Sequence, residues 1–269
     1  MMKILNLAFF LTVLSTKVVF GQQYVNQDFA LGEEIRFKIS YGWFALGEAS
    51  MSLGDSLVEV DGQHYYQNTI QAGTVGLFSW LAGIENSYSG LVNVDNYKTI
   101  KSEKHINDRK GKEDQWNVFD YKRMDTDVKV VKQRDGDSKL KSFTVGLTAD
   151  TYDLHGTYMY LRSKLWSGFE PGDSLLLKTY WVDKLYDFGM EYGGVDKIKF
   201  DGKKVITHKF YGLFPVSGTF PKEKAVEVWI LERDGMGIPV RIEAEMKIGK
   251  VRCELKEYKV RGQRLISSK

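Results

Sequence analysis

Apolar and polar side chains alternate along most of this chain of 269 residues. In the run 34–41 every second residue is apolar, so an extended strand there would turn one face to a core and its charged face to water. The residues of the apolar face are Ile35, Phe37, Ile39 and Tyr41. The same period returns in 49–53, 128–131, 175–182, 225–230, 238–246 and 251–258. The alternation predicts a protein that consists mainly of β-strands.

Asp-Gly pairs stand between several of these runs and indicate how the strands connect. They occur at 61–62, 135–136, 201–202 and 234–235. Glycine adopts a positive φ at little cost, and two-residue turns of this kind join antiparallel neighbours. The predicted fold class is therefore predominantly all-β and antiparallel, as a partly open β-barrel or as two facing curved sheets.

One segment, near residues 150–166, has the period of a helix instead of a strand. Thr148 or Asp150 can cap its start, and Gly168 can end it in a left-handed conformation. Gly156 inside it costs about 1 kcal/mol relative to alanine, which indicates close packing against a strand. Its apolar stripe consists of Leu154, Tyr158, Leu161 and Leu165. We expect one central α-helix there, with this stripe packed on the sheet.

A second unusual segment, residues 74–84, contains no charged side chain. It is either a short helix or an apolar loop, and it lies outside the strand alternation. If it covers the opening of a barrel, Phe78 and Trp80 would face an apolar cavity. Arg162, on the side of the central helix away from its stripe, would then meet an anionic head group at the rim. These three residues are the ligand-lining candidates, and the alternative is that both aromatics are ordinary core residues.

The first 21 residues are typical of a secretory signal peptide. An uncharged apolar run, 4–14, follows Lys3, and cleavage is expected after Gly21. The run is too short for a membrane span, which needs about 20 apolar residues, and no later run could serve as one. We therefore expect an exported mature chain, residues 22–269, that forms a single β-rich domain. It would lie in the periplasm or on the outer envelope, or be released.

Charge and motifs argue against several classes of function for the mature chain. Cleavage would remove Lys3 and Lys17, so the 38 basic residues fall to 36 against 35 acidic ones, which gives no electrostatic basis for binding nucleic acid. Cys253 is the one cysteine, so no intramolecular disulfide or Cys-rich metal site can form. The sequence has no GxSxG, HExxH, GxGxxG or Walker motif. We assign no catalytic residue, metal ligand or cofactor from it, and the oligomeric state stays open.

Three groups of short motifs, in this order and spacing, resemble the DUF3108 family of exported bacterial proteins. They are Gly32–Gly42 with Leu46–Ser50, Asp150–Leu154 with Tyr160–Arg162, and Val228–Asp234 with Ile238–Ile242. The likeness extends over essentially the whole mature chain. It implies an exported, antiparallel β-rich protein of a Gram-negative envelope, with a barrel-like or clam-shaped fold. The expected start of the mature chain, at Gln22, is similar to the start of exported proteins of the Bacteroidetes. The resemblance implies no particular activity.

These observations favour a non-enzymatic envelope protein that binds an amphiphilic or glycan ligand, or assists envelope assembly, in a cleft beneath the helix. Two alternatives stay open: a hydrolase acting on envelope polysaccharide, and a structural interaction module without a small ligand. A close pair of carboxylates in an open groove would favour the hydrolase. A continuous apolar cavity would favour the binding protein, and a filled interior would favour the module.

Overall fold

The structure, a computed structural model, describes residues 29–81, 83–164, 168–213, 221–233, 235–247 and 249–267. The strands among them are β1 (Glu33–Tyr41), β2 (Phe44–Leu53), β3 (Val58–Val60), β4 (Gln63–Thr74), β5 (Glu85–Asn93), β6 (Thr99–Asp108), β7 (Gly111–Asp120), β8 (Asp125–Arg134), β9 (Asp137–Gly146), β10 (Thr151–Asp153), β11 (Ser174–Trp181), β12 (Lys184–Phe200), β13 (Lys203–Leu213), β14 (Val226–Arg233), β15 (Met236–Met246), β16 (Gly249–Val260) and β17 (Gln263–Ser267). The helices are α1 (Gly76–Leu81) and α2 (Leu154–Arg162). No helix among the described residues is long and apolar enough to cross a membrane.

These strands belong to one sheet with two halves. In the first half β1 pairs with β2, β2 with β4, and β4 to β9 follow as antiparallel neighbours, with β3 beside β4. In the second half β10 is parallel to β11, and β11 to β17 are antiparallel neighbours. β1 and β16 join the halves. The predominantly β, antiparallel fold is confirmed.

The sheet curls until β7 and β11 meet through their side chains. The Gln115 amide of β7 donates to the carbonyl oxygen of Val182, just after β11, at 2.6 Å. The rings of Phe119 and Tyr180, also from β7 and β11, meet edge to face with their centroids 5.5 Å apart. No backbone pairing between β9 and β10 is present in the described part of the chain. The result is a partly open barrel, as expected, whose seam is closed by side chains.

Three of the four Asp-Gly pairs form turns where the sequence predicts them, and the fourth contains Asp234, which lies outside the described residues. Asp61 and Gly62 have φ of 50° and 75°, and Asp201 and Gly202 have φ of 46° and 75°. A positive φ at both central residues is the geometry that matches the twist of a two-residue hairpin. These two pairs therefore connect antiparallel neighbours, β3 to β4 and β12 to β13.

The central helix, α2, lies inside the curl and packs on β5, β10, β11 and β15, so it contacts both halves of the sheet. It is shorter than the expected 150–166 because 151–153 form β10, a parallel partner of β11. Asp153 therefore caps the helix, and its Oδ1 accepts a hydrogen bond from the Gly156 amide at 2.8 Å. Leu165, the last residue of the predicted stripe, lies outside the described residues.

Four clusters of buried side chains fill the interior, and α2 contributes to two of them. Met159 is fully buried in a cluster with Tyr66 and Val92 of the first half. Leu161 packs in a cluster with Phe210 and Ile230 of the second half. The helix therefore stabilises the contact between the halves, and Leu161 is a core residue as predicted.

Gly156, in the first turn of α2, has no room for a side chain. A Cβ atom there would lie 2.3 Å from the Tyr97 carbonyl oxygen, so the packing is close as predicted, although against the β5–β6 loop rather than a strand. Gly156→Ala should lower the free energy of unfolding by about 1 to 3 kcal/mol, because overpacking outweighs the higher helix propensity of alanine. Urea denaturation measures this loss.

Gly146→Ala is the matched control. Gly146 lies in β9, and apart from its two chain neighbours no residue lies within 4 Å of a Cβ atom placed there. We expect this variant to be unchanged, or more stable by about 0.4 to 1 kcal/mol through its effect on the unfolded chain. A Gly156→Ala protein as stable as this control would contradict the close contact.

Candidate functional site

A cleft of about 1170 Å³ opens between the β12–β13 turn and the first two strands. Its volume exceeds the roughly 300–1000 Å³ of typical small-molecule sites, so it has room for a large ligand. Its apolar lining consists of Ala45 and Val75, which are accessible, and of Phe200 and Leu255, which lie behind them in the core. No residue of α2 lines this cleft. The expected position beneath the helix is wrong, because core side chains fill that space. The filled interior favours the module over a ligand held inside the barrel, so a binding role depends on this outer cleft.

The far wall of the cleft is the β12–β13 hairpin, which side chains of β14 and β15 hold in place. Arg241 donates from Nη2 to the Lys199 carbonyl oxygen at 2.9 Å and to Glu254 Oε1 at 2.6 Å. The Trp229 indole donates to Asp196 Oδ2 at 2.8 Å, and this bond lowers the pKa of the Asp196 carboxyl below its usual range. The hairpin is thus fixed at two points, one of them beside the cleft.

Positive charge predominates around the cleft, where five basic side chains stand beside three acidic ones. Two of the basic residues already pair with glutamates of the cleft. The other three are exposed and have no carboxylate partner among the described residues; they are Lys38, Lys199 and Lys203. Free ammonium groups beside an apolar wall suit a ligand with an anionic head and an apolar body.

Sequence reasoning missed all three lysines. They come from β1 and from the β12–β13 hairpin, which are far apart in the chain. The alternation assigns such lysines to the polar face of a strand, but it does not tell which strands curl toward each other. The Asp201-Gly202 turn is the one local signal, because it marks the end of the hairpin that becomes a wall.

The uncharged segment 74–84 contains α1 and reaches the cleft near its start. Among its described side chains that of Val75 lines the cleft, whereas Trp80 is 66 % exposed and does not. The expectation that Trp80 faces an apolar cavity is therefore wrong, and so is the alternative that it is a core residue. A helix of six residues that packs mainly on β2 and β4 has too few neighbours to bury all its sides. The side chain of Phe78 lies outside the described residues.

Arg162 lies inside the barrel rather than at a rim. Its side chain is 4 % exposed and forms two hydrogen bonds of 2.8 Å to the equally buried carboxylate of Glu33. Its Nε donates to the Gly237 carbonyl oxygen at 2.8 Å. The predicted position at a rim is wrong because the sheet curls around α2. The side of the helix opposite the apolar stripe therefore faces β1 and β15 instead of water.

A second depression, a groove of about 560 Å³ across β1, β2, β4, β5 and β6, contains several carboxylates. Two of them, Glu34 and Glu48, form ion pairs with Arg36 and Lys256. A glycosidase needs two carboxyl groups that face each other across the substrate, one of them as general acid. Among the described residues of the groove, Glu85 is the one carboxylate without an ion pair. The groove therefore does not support the hydrolase hypothesis.

A small polar chamber lies at the seam, beside the start of α2. Its lining includes the buried side chains of Lys104, Gln115, Asn117 and His155, and its volume is about 30 Å³. That volume is enough for a water molecule and too small for a substrate. Within the described chain, no group of three or more His, Cys, Asp or Glu residues could hold a metal ion. Burial raises the pKa of the Cys253 thiol to about 11, so a thiolate nucleophile does not form there at neutral pH.

His155, beside this chamber, should make stability depend on pH. Its Nδ1 lies 2.6 Å from Asn68 Oδ1, and burial lowers the pKa of the imidazole. Because the folded pKa lies below the unfolded value of about 6.5, the stability contributed by neutral His155 is present above that pH and is lost as the pH falls below it. We expect the urea midpoint to fall between about pH 7 and about pH 5.

The pKa of the His105 imidazole is shifted in the opposite direction to that of His155, so His105 serves as the control. A hydrogen bond to Asp114 raises the pKa of the His105 imidazole, so its contribution is present at acid pH and is lost as the pH rises through the folded pKa. His155→Gln should flatten the loss of stability on the acid side, and His105→Gln should steepen it. Identical pH profiles for His155→Gln and the unmutated protein would contradict the role of His155.

Comparison with known proteins agrees with this fold. The crystal structure of a beta-barrel-like protein of domain of unknown function DUF1849 from Brucella abortus is similar, with a TM-score of 0.53 over 87 % of this chain and 99 % of that chain. The two sequences are 8 % identical, so the likeness concerns the fold alone. No curated protein matches the chain. The family model DUF3108, described as a protein of unknown function, matches residues 36–256, and the chain therefore belongs to the DUF3108 family.

Proposed function

We propose that this protein is an exported envelope protein that binds an anionic amphiphile in the cleft between the β12–β13 turn and β1–β2. The head group would contact Lys38, Lys199 and Lys203, and the apolar body would lie along Ala45 and Val75. The observation that supports this most directly is the combination, in one cleft, of an apolar wall and exposed lysines that lack carboxylate partners among the described residues.

An amphiphile suits the cleft better than a glycan does. Sugar faces stack on accessible aromatic rings, but the aromatic residue of the cleft wall, Phe200, is only 7 % exposed. A hydrocarbon chain needs apolar contact without a particular ring orientation, and the accessible side chains of Ala45 and Val75 offer such contact. Glycan binding is therefore the alternative outcome of a ligand search.

Export is part of this proposal and is supported by the leader-like residues 1–21, which lie outside the described part of the chain. We expect N-terminal sequencing of protein from the cell-envelope fraction to begin near Gln22. An intact chain that starts at Met1 or Met2 and is recovered from the cytoplasm would contradict export, without affecting the geometry of the cleft.

A fluorescent fatty acid is the probe for binding in the cleft. We expect the unmutated protein to bind it saturably. Lys199→Met/Lys203→Met should weaken binding roughly 5- to 30-fold, because each exposed lysine–carboxylate contact contributes about 0.5 to 1 kcal/mol. Ala45→Trp should block binding by filling the cleft, since Ala45 is exposed and lines it.

Lys139→Met/Lys141→Met is the matched control. It removes the same charge from β9, where both lysines are exposed and line no part of the cleft. This control should bind the fatty acid as the unmutated protein does. Absence of binding by the unmutated protein would defeat the proposal. Equal losses in the two double variants would show that binding depends on overall charge rather than on the cleft.

A further inference from the structure

Three large aromatic side chains are exposed at one end of the barrel. Trp43 is 87 % exposed, Phe44 is 46 % exposed and Trp80 is 66 % exposed. The rings of Trp43 and Phe44 lie against each other with their centroids 4.2 Å apart. We call these three residues the aromatic tip. Scattered single apolar residues on a surface are common, but a group of large rings marks an interaction surface.

Backbone contacts place the three residues of the aromatic tip on neighbouring elements. Trp43 and Phe44 belong to the β1–β2 turn and the start of β2, and Trp80 belongs to α1. The Val75 amide, just before α1, donates to the Leu46 carbonyl oxygen of β2 at 3.1 Å. α1 also packs on β2. The turn and the helix therefore project from the same end of the sheet.

Basic side chains adjoin the aromatic tip. The Arg109 guanidinium lies 5.4 Å from the centre of the Trp80 ring. Its neighbour Lys110 is exposed and has no carboxylate partner among the described residues. The nearby Asp108 carboxylate is occupied within the β6–β7 turn, because its Oδ1 accepts from the amides of Lys110 and Gly111 at 2.7 and 3.1 Å. The Asp108 carboxylate thus faces its own turn, whereas the Lys110 side chain is exposed beside the tip.

A further lysine lies on the other side of the tip. A Cβ atom placed on Gly249 would lie 2.7 Å from the Tyr41 hydroxyl oxygen, so the β15–β16 turn adjoins the end of β1. That turn carries Lys247, which is exposed and has no carboxylate partner within the described chain. Basic residues thus stand on both sides of the rings.

We propose that the aromatic tip docks this protein reversibly on the surface of an anionic lipid bilayer. Tryptophan prefers the boundary between head groups and hydrocarbon, where its ring is apolar and its N–H stays hydrated. Lysine and arginine beside such rings are attracted to anionic head groups. The sequence of α1 contains no charge that would oppose insertion. Charge complementarity therefore favours an anionic bilayer over a basic or uncharged partner, and the inference does not depend on the ligand of the cleft.

Vesicle co-sedimentation tests this inference. We expect the purified protein to sediment with vesicles of phosphatidylcholine containing about one third phosphatidylglycerol, and binding should weaken as salt increases. Trp43→Ala/Trp80→Ala should reduce the bound fraction at least about 10-fold, because both rings would lose their place in the interface. Arg109→Gln/Lys110→Gln should reduce binding to anionic vesicles and leave the weak binding to pure phosphatidylcholine unchanged.

Leu140→Ala/Leu176→Ala is the control, because these two side chains are 62 % and 63 % exposed and lie on β9 and β11, away from the tip. It should sediment like the unmutated protein, and all variants should keep the same urea midpoint. The tryptophan variant should still bind the fluorescent fatty acid, which separates this inference from the cleft. Absence of sedimentation by the unmutated protein would overturn the proposal, as would a dimer that Trp43→Ala/Trp80→Ala converts to monomer.

Discussion

Arg162→Met should lower the free energy of unfolding by about 3 to 5 kcal/mol, the range for removing one partner of a buried ion pair. The guanidinium bonds to Glu33 of β1 and to the Gly237 carbonyl oxygen of β15, each at 2.8 Å. Methionine has a similar length but leaves the Glu33 carboxylate, 4 % exposed, without a countercharge. Urea denaturation followed by circular dichroism measures the loss.

Two further variants separate the ion pair from general packing. Glu33→Leu/Arg162→Met removes both charges, so it should lose less stability than Arg162→Met alone. Arg123→Met makes the same substitution at an exposed arginine that pairs with nearby aspartates, and it should leave the free energy of unfolding nearly unchanged. A loss at Arg162 no larger than the loss at Arg123 would contradict the role of the buried pair.

Leu161→Ala should lower the free energy of unfolding by about 2 to 5 kcal/mol, as a large-to-small change in a core does. Leu161 is 7 % exposed and packs in a cluster with Met190, Phe210 and Ile230. These neighbours belong to strands of a curled sheet and cannot collapse fully into the space that the substitution leaves. The measurement is again urea denaturation at neutral pH.

Leu140→Ala is the control for this prediction, because Leu140 lies on β9 and is 62 % exposed. Its effect should stay within about 0.5 kcal/mol. If Leu161→Ala lowered the free energy of unfolding by no more than Leu140→Ala does, the helix would not be part of the core. The assignment of α2 as the contact between the two halves would then fail.

Much of the fold could be predicted from local patterns. The alternation in 34–41 gives a strand whose Ile35 and Phe37 are fully buried, and the Asp201-Gly202 pair gives the turn between β12 and β13. The helix was harder to delimit. Residues 151–153 pair with β11 as parallel neighbours. A pairing with a strand more than 20 residues away cannot be recognised from the spacing of apolar residues within so short a segment.

The candidate site could be predicted less well. The helical period predicts one buried and one exposed side for the central helix, which places Arg162 at a rim. In a sheet that curls around the helix both sides are covered, so polar residues such as His155 and Arg162 are buried with partners. The lysines of the cleft depend on how two distant hairpins approach each other. That approach follows from sheet twist and curvature, which the alternation does not encode.

The pairing of β1 with β16 has a consequence for how the molecule folds. Glu33 pairs with Val260, so the ladder that joins the halves brings together the two ends of the described chain. Closing so long a loop is slow, because its entropy is lost before the contacts form. Until the last strands arrive, one edge of β1 offers unpaired amides and carbonyls to any other chain. We therefore expect truncation before β16 to produce aggregates rather than a soluble first half.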